Sequence, residues 1–349
     1  MSLVLTVDGD RWRGHLRGLA ERTPGLVPVA KGNGYGFSLG RLARKAGWLG
    51  VDTLAVGTYD ELPHVADRYA GSLLVLTPWR PFHPAVDPVL ADRVVHTVSR
   101  PEDLDGLLAA KPDARFVLEL MTSMRRHGMT AQELWSTAKV LRGHRAARLE
   151  GVALHLPLAS GSHVAEVERL LTDLVAAELP TGTVWVSHLT PPELDLLRST
   201  HPDLQVRPRI GTDLWLGDRG ALRVTSTVLD IHELHRGDVF GYRGRTTLRD
   251  GHLLVVSGGT AHGIGLEAPK GEAGLKARAA IVARGGLEAL GQSRSPFWVG
   301  GKQRLFAEPP HMQASMLLLP ADAQPPRVGD LVDVRVRYTA TAFDRVDVS

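Results

Sequence analysis

From about residue 10 to residue 215 the chain alternates short apolar, β-branched runs with longer amphipathic segments. No other feature limits the fold as strongly. The runs are Leu26–Ala30, Thr53–Val56, Leu73–Leu76, Val94–Val98 and Phe116–Leu120, then Gly151–Leu156, Thr183–Val186 and Val206–Ile210. Segments with helical spacing fall between many of them: Asp10–Arg22, Leu39–Gly47, Thr58–Tyr69, Thr130–Gly143, Val164–Ala177 and Pro191–Ser199. Eight strands alternating with helices over ~200 residues read as an α/β fold of the closed (β/α)8 TIM-barrel type, with an open doubly wound sheet as the alternative.

The pattern changes after residue 217. Leu222–His235, Asp238–Tyr242, His252–Ser257, Met316–Leu319 and Leu331–Tyr338 are strand-like and are separated by Gly- and Pro-rich turns. They predict a second, mainly β domain. The run Leu3–Val7 offers it one more strand. The expected division is a barrel over residues 9–217 and a C-terminal β domain over 218–349 that also takes residues 1–8. A chain of 349 residues is long enough for about two domains.

Composition excludes several functions. Hydrophobic residues make up 43% and charged residues 23%, as in ordinary soluble proteins. No apolar run approaches the ~20 residues that span a bilayer. The opening MSLVLTVDGDRW has neither a basic region nor a long apolar stretch, so no secretory signal is expected. With 0 cysteines the chain has no disulfide, thiolate metal site or cysteine nucleophile, which suits the cytoplasm. The net charge is only +3, with no basic stripe, so nucleic acid is not an expected partner. No metal site is expected either.

Barrel active sites lie at the C-terminal ends of the strands, which collects the candidates. Lys31 follows the first run directly, in VAKGNGYG. An amine placed there is partly desolvated, which lowers its pKa and favours condensation with an aldehyde. Gly32, Gly34 and Gly36 allow a ligand to approach the backbone. Arg209 ends the eighth run before Gly211 and Thr212, whose amides suit a phosphate. Ser187, His188 and Thr190 follow the seventh run, and His155 ends the sixth. Glu119 sits inside the fifth run, where a buried carboxylate needs a partner; Arg126 is the expected one. Singly, each is more often structural than catalytic. Together they converge on one rim.

These motifs resemble those of the alanine racemases, fold-type III enzymes that use pyridoxal 5′-phosphate. The match rests on VAKGNGYGFSLGRLARKAG followed by DTLAVGTYDEL, and the later motifs occur in the family's order. The resemblance implies a TIM barrel with a C-terminal β domain, and a homodimer whose active site is shared across the interface. It implies that Lys31 holds the cofactor and that Tyr35 contacts its phosphate. Arg126, in TSMRRHG, would lie by the cofactor's phenolic oxygen and the substrate. His155, in GVALHL, and Arg209, in RPRIG, would complete the ring site, and a His155–Arg209 relay would assist the second base. Gly211, Thr212 and either Ser187 or Thr190 would hold phosphate. Tyr242, in GDVFGYRG, resembles the second base, delivered to the partner subunit's site. The implied activity is two-base Cα proton transfer through an external aldimine.

Departures from the family pattern bear on substrate. Glu119 stands where the family often has a carbamylated lysine. His311-Met312-Gln313 replaces a segment in which an acid follows the methionine, and Thr260 replaces a bulky corridor tyrosine. Thr260, Met312 and Gln313 are the expected substrate contacts beside Arg126. The family's C-terminal phosphate-site tyrosine has no clear counterpart; Tyr338 is the candidate. A wider entrance implies a substrate larger than alanine. The alternatives are another pyridoxal-phosphate reaction of this fold type (a decarboxylase, a lyase or a specialised biosynthetic enzyme) and a non-catalytic carrier of the cofactor.

Overall fold

The computed structural model describes residues 2–158, 161–266 and 293–349. Strand β1 (Leu3–Val7) leads into helix α1 (Gly9–Arg22), and then the barrel begins. Its strands are β2 (Val27–Ala30), β3 (Thr53–Val56), β4 (Ser72–Pro78), β5 (Val94–Val98), β6 (Arg115–Leu120), β7 (Arg148–His155), β8 (Thr183–Ser187) and β9 (Gln205–Ile210). Each pairs in parallel with the next. The ring closes where Val27 and Pro28 of β2 pair with Arg209 and Ile210 of β9. Closure removes the open doubly wound sheet from consideration.

Outside the strands lie α2 (Leu39–Trp48), α3 (Leu62–Ala66), α4 (Pro101–Ala110), α5 (Ala131–Leu141), α6 (Val164–Ala176), α7 (Pro191–Thr200) and α8 (Thr212–Leu216). Helix α4 escaped the sequence reading, although it carries Pro101 in its first turn with Glu102 and Asp103, the usual start signals. The expected helix over Thr58–Tyr69 shrinks to a 3-10 turn, Tyr59–Glu61, followed by the short α3, which starts at Pro63's neighbour Leu62. Between β4 and β5, Pro81, Pro84 and Pro88 interrupt the chain and no helix forms among the described residues.

Side chains alternate along each barrel strand. Val27, Val29, Ala55, Leu74, Val95, Val117, Ala153 and Trp185 form the inner layer. Phe116, Leu118, Val152, Leu154, Val184, Val186 and Val206 face outward against Leu104, Leu134, Leu170 and Leu194 of the helices. Trp185 is the largest side chain of this layer and is buried. Its indole N–H donates to the Glu150 carbonyl at 3.0 Å, and the Arg207 guanidinium lies 4.4 Å from its ring.

The remaining chain adds β10 (Leu222–Leu234), β11 (Val239–Phe240), β12 (Arg245–Thr246), β13 (Gly251–Ser257), β14 (Arg294–Val299), β15 (Lys302–Phe306), β16 (Ala314–Pro320), β17 (Leu331–Val334) and β18 (Arg345–Val348). The eight-stranded sheet has the order β13-β16-β15-β14-β17-β10-β1-β18, and β10 also pairs with β13. β1 does join it, antiparallel to β10 and parallel to β18. The strand expected at Asp238–Tyr242 contracts to Val239–Phe240, and that at Leu331–Tyr338 stops at Val334. Contacts group residues 13–217 into one compact unit, and those up to Trp12 with those from Asp218 onward into the other. No helix among the described residues is long and apolar enough to cross a membrane.

Glu193 of α7 is a local test of this packing. One carboxylate oxygen accepts from the Thr190 amide at 2.8 Å and hydroxyl at 2.7 Å; the other accepts from the His163 amide at 2.7 Å and the Ser162 hydroxyl at 2.9 Å. Burial opposes ionisation, but these donors outweigh it and hold the carboxyl down to about 2. A depressed carboxyl stabilises the fold above its unfolded pKa and loses that contribution as pH falls through the folded value. Glu193→Gln should therefore cost about 1–2 kcal/mol at neutral pH. The gap from wild type should close between pH ~4.5 and ~2 in denaturant titrations.

Candidate active site

Strand alternation assembles the site. Val29, Val117, Ala153 and Trp185 line the barrel interior, and two residues further on each strand or its exit stand Lys31, Glu119, His155 and Ser187. Arg209 follows Arg207 on β9 in the same way. A period of two thus carries five polar side chains to the C-terminal rim, facing inward.

The loop after β2 is locked in an unusual conformation. Gly32, Gly34, Tyr35 and Gly36 all have positive φ, between 56° and 89°. Tyr35 holds this geometry without being glycine and is buried. Its hydroxyl lies against Gly211, where any Cβ would overlap it. Burial pushes the Tyr35 phenol up to about 12, so it remains a hydrogen-bond donor. Glu61, which the sequence reading missed, clamps this loop. Its carboxylate accepts from the Gly32 amide at 2.7 Å and the Gly57 amide at 2.6 Å. The signal was present in the Thr58–Glu61 capping box.

Electrostatics distinguish the rim. Desolvation, then Arg126 and Arg209, lower the Lys31 pKa; Glu61 opposes them weakly. Burial and the same two arginines push His155 down to about 3, so its imidazole is neutral at pH 7. Arg126 Nη2 lies 3.0 Å from His155 Nδ1. Arginine only donates, so Nδ1 accepts and the ring proton sits on Nε2. Arg209 is buried and is lowered to about 10, chiefly by desolvation with Glu119 working against it. It still keeps its proton at neutral pH. Glu119 is raised by burial, and Arg209 exerts the largest opposing effect, ahead of Arg126 and Arg80.

Three expectations need correction. Glu119 makes no ion pair with Arg126: Arg126 engages His155, and Arg209, inward on β9, is the cation that chiefly acts on Glu119. No hydrogen bond joins His155 to Arg209 among the described residues; Arg209 Nη2 donates to the Leu154 carbonyl at 2.9 Å instead. The Thr190 hydroxyl is occupied in capping α7 through Glu193. Ser187 is buried, with its hydroxyl 3.4 Å from the Leu154 carbonyl, and His188 donates from Nδ1 to the Leu156 carbonyl at 2.6 Å. Thr212 opens α8, which Trp215 anchors by donating from Nε1 to the Val29 carbonyl at 2.7 Å.

The other unit gathers its own candidates. Gly258, Thr260 and Ala261 donate from their amides to the carbonyls of Gln313, His311 and Met312 at 2.9, 2.8 and 3.1 Å. This pins Thr260, Met312 and Gln313 into one corner. Tyr242 is 88% exposed, and its ring packs edge-on against His311 at 4.9 Å between centroids. Tyr338 begins a 3-10 turn, with the Arg219 guanidinium 4.8 Å from its ring.

The fold and rim define a class: a closed (β/α)8 barrel whose first strand ends in a lysine flanked by arginines. Comparison with known proteins narrows it. The model "Alanine racemase, N-terminal domain" matches residues 7–187, more than half of the chain. The alanine racemase of Mycobacterium avium (strain 104) is 30% identical over 278 residues, covering 72% of this chain and 70% of that one. The chain spans only 35% of the length of another curated alanine racemase, at 29% identity. Among solved structures, alanine racemase from D-cycloserine-producing Streptomyces lavendulae has a TM-score of 0.73 at 20% identity, covering 100% of this chain and 97% of that one. The histidine racemase of Leuconostoc mesenteroides subsp. sake has a TM-score of 0.69 at 17% identity, covering 99% and 98%. The chain belongs to the alanine racemase family, as a divergent member.

The contact between Tyr35 and Gly211 can be tested directly. Gly211→Ala should destabilise the barrel by about 1–3 kcal/mol through overpacking. Adding Tyr35→Phe, which removes the nearest overlapping atom, should recover part of that loss in chemical denaturation.

Proposed function

We propose that this protein is a pyridoxal-phosphate-dependent amino-acid racemase, acting as a cytoplasmic homodimer on a substrate larger than alanine. The barrel, residues 9–217, would hold the cofactor; residues 218–349 with the strand in 1–8 would carry the second base. The observation that carries this reading is the Lys31 amine, held at the barrel mouth with its proton affinity lowered by desolvation, Arg126 and Arg209.

The residues present fit the cofactor. Arg209 Nε and Glu119 Oε2 are buried in the barrel and have no hydrogen-bond partner among the described residues. Such atoms are costly unless a ligand meets them. The Tyr35 hydroxyl, the amides of Gly211 and Thr212, and Ser187 would hold the phosphate, with Tyr338 a further candidate. When bound, pyridoxal phosphate supplies an aldehyde for an amine and a conjugated ring that acidifies the Cα–H of an amino acid.

The chain's own groups then divide the work. Lys31 Nζ takes or returns the Cα proton on one face. Tyr242 Oη, from the partner subunit, serves the opposite face, and its exposure leaves it available to a second chain. Arg209 keeps its proton, so it would hold the cofactor's ring by donating hydrogen bonds rather than a proton. Arg126, fixed by His155, would place its charge beside the cofactor and the substrate. Thr260, Met312 and Gln313 line the approach, and the small Thr260 leaves room for a longer side chain.

Borohydride treatment of protein loaded with pyridoxal phosphate should fix one adduct on Lys31, seen by peptide mass, and none in Lys31→Ala. Tyr242→Phe should lower racemisation by about 10²-fold or more, measured by chiral chromatography. An unaffected Tyr242→Phe enzyme would leave a carrier or a different reaction as the better reading.

Substrate size has its own test. Across a panel of L-amino acids, wild type should turn over residues longer than alanine, and Thr260→Tyr with Gln313→Asp should shift preference toward alanine. Turnover of alanine alone by wild type would refute the wider entrance.

A further inference from the structure

We propose that Glu308 and His311 act as a positioning pair for Tyr242, fixing the phenol from within its own chain. The inference rests on the reading of Tyr242 as the second base.

Glu308 is a buried carboxylate, 3% exposed, in a unit whose other acids mostly face solvent. Both of its oxygens are used. Oε2 accepts the Tyr242 amide at 2.9 Å, and Oε1 lies 2.6 Å from His311 Nε2. A carboxylate only accepts, so His311 carries a proton on Nε2, and this bond sets the plane of its ring. The imidazole then meets the Tyr242 ring edge-on at 4.9 Å, with the rings inclined at 75°. One acid therefore holds the base twice, through its backbone and through the ring it packs against.

The surrounding backbone is built for this. Pro309 and Pro310 separate Glu308 from His311 and restrict the segment between them. Arg245 Nη1 donates to the Ala307 carbonyl at 2.8 Å, just before Glu308. The His311 amide donates to the Ala314 carbonyl at 2.9 Å, and its carbonyl accepts from Thr260 at 2.8 Å. Gly241 has φ 73°, and a Cβ there would overlap Glu308 Oε2. An exposed tyrosine would otherwise sample several rotamers. Here the phenol leaves the surface from a fixed ring, which matters because a base displaced by about 1 Å can cost 10²-fold in rate.

The pair also accounts for an otherwise unsupported phenol. In the barrel, His155 is committed to Arg126 and Arg209 to the Leu154 carbonyl. Tyr242 instead has its support beside it in space, on the segment that follows β15.

The test is a double-mutant cycle on the enzyme loaded with pyridoxal phosphate, using L-alanine and the fastest longer L-amino acid of the panel. His311→Ala should lower kcat about ten- to a hundredfold, with little change in KM. On a Tyr242→Phe background it should add almost nothing, because it acts through Tyr242. Glu308→Gln should resemble it, and His311→Gln should rescue part of the loss. The kcat/KM ratio of the two enantiomers is fixed by an equilibrium constant of one and reports nothing. The Cα-deuterium isotope effect does report: it should change for the enantiomer whose proton Tyr242 removes, and not for the other. Independently of turnover, the [13Cζ]tyrosine NMR signal that Tyr242→Phe removes should shift in His311→Gln. Equal losses on both backgrounds, or an unmoved tyrosine signal, would overturn the pairing while leaving Tyr242 as the base. Loss of the Tyr242→Phe effect itself would sink the base assignment instead.

Discussion

Desolvation, reinforced by cation–cation repulsion, sets the electrostatics of the barrel mouth. Lys31, Arg126 and Arg209 are brought to one rim by strand register and by the loop after β6, and the arginines lower the proton affinity of the lysine. Coulomb energies of this kind grow as water is excluded. Arg209 is buried and Arg126 is held on His155, so both charges stay fixed beside the amine. Glu119 keeps the cluster from becoming untenable, because its attraction to Arg209 partly offsets the burial of both.

Much of this was legible in the sequence, for definite reasons. The eight runs of β-branched residues fixed strand count and order, and their exits named Lys31, His155, Ser187 and Arg209 as rim residues. Its position within the apolar fifth run marked Glu119 as a buried acid in need of a partner. What could not be read were pairings between residues far apart in sequence. Glu119 and Arg209 lie on different strands, and nothing local distinguishes Arg209 from Arg126 as the cation acting on that acid. Thr190 looked like a free hydroxyl until its capping geometry with Glu193 was visible. Glu61 was overlooked because a capping glutamate normally serves its own turn, whereas this one also reaches the Gly32 amide. In the β unit, Lys302–Phe306 carries too many polar residues to announce a strand; it is held by pairing with its neighbours β14 and β16.

The two units hold their proposed functional residues in the same way. The proposed inversion would need groups on opposite faces, each held steadily while remaining accessible. In the barrel, Gly211 lets the Tyr35 hydroxyl press against the loop after β9, which ties the segment following Lys31 to the far side of the ring closure. In the β unit, Gly241 lets the Glu308 carboxylate press against the backbone leading into Tyr242. Each glycine makes room for an oxygen where a methyl group would overlap it, and each neighbours a proposed functional residue in sequence or space. The flexibility usually associated with glycine is therefore absent at both points. These glycines serve rigidity, since the space they leave is filled by a side chain that fixes the loop. That explains why Gly211, just past β9, and Gly241, just past β11, each sit beside a bulky, ordered partner.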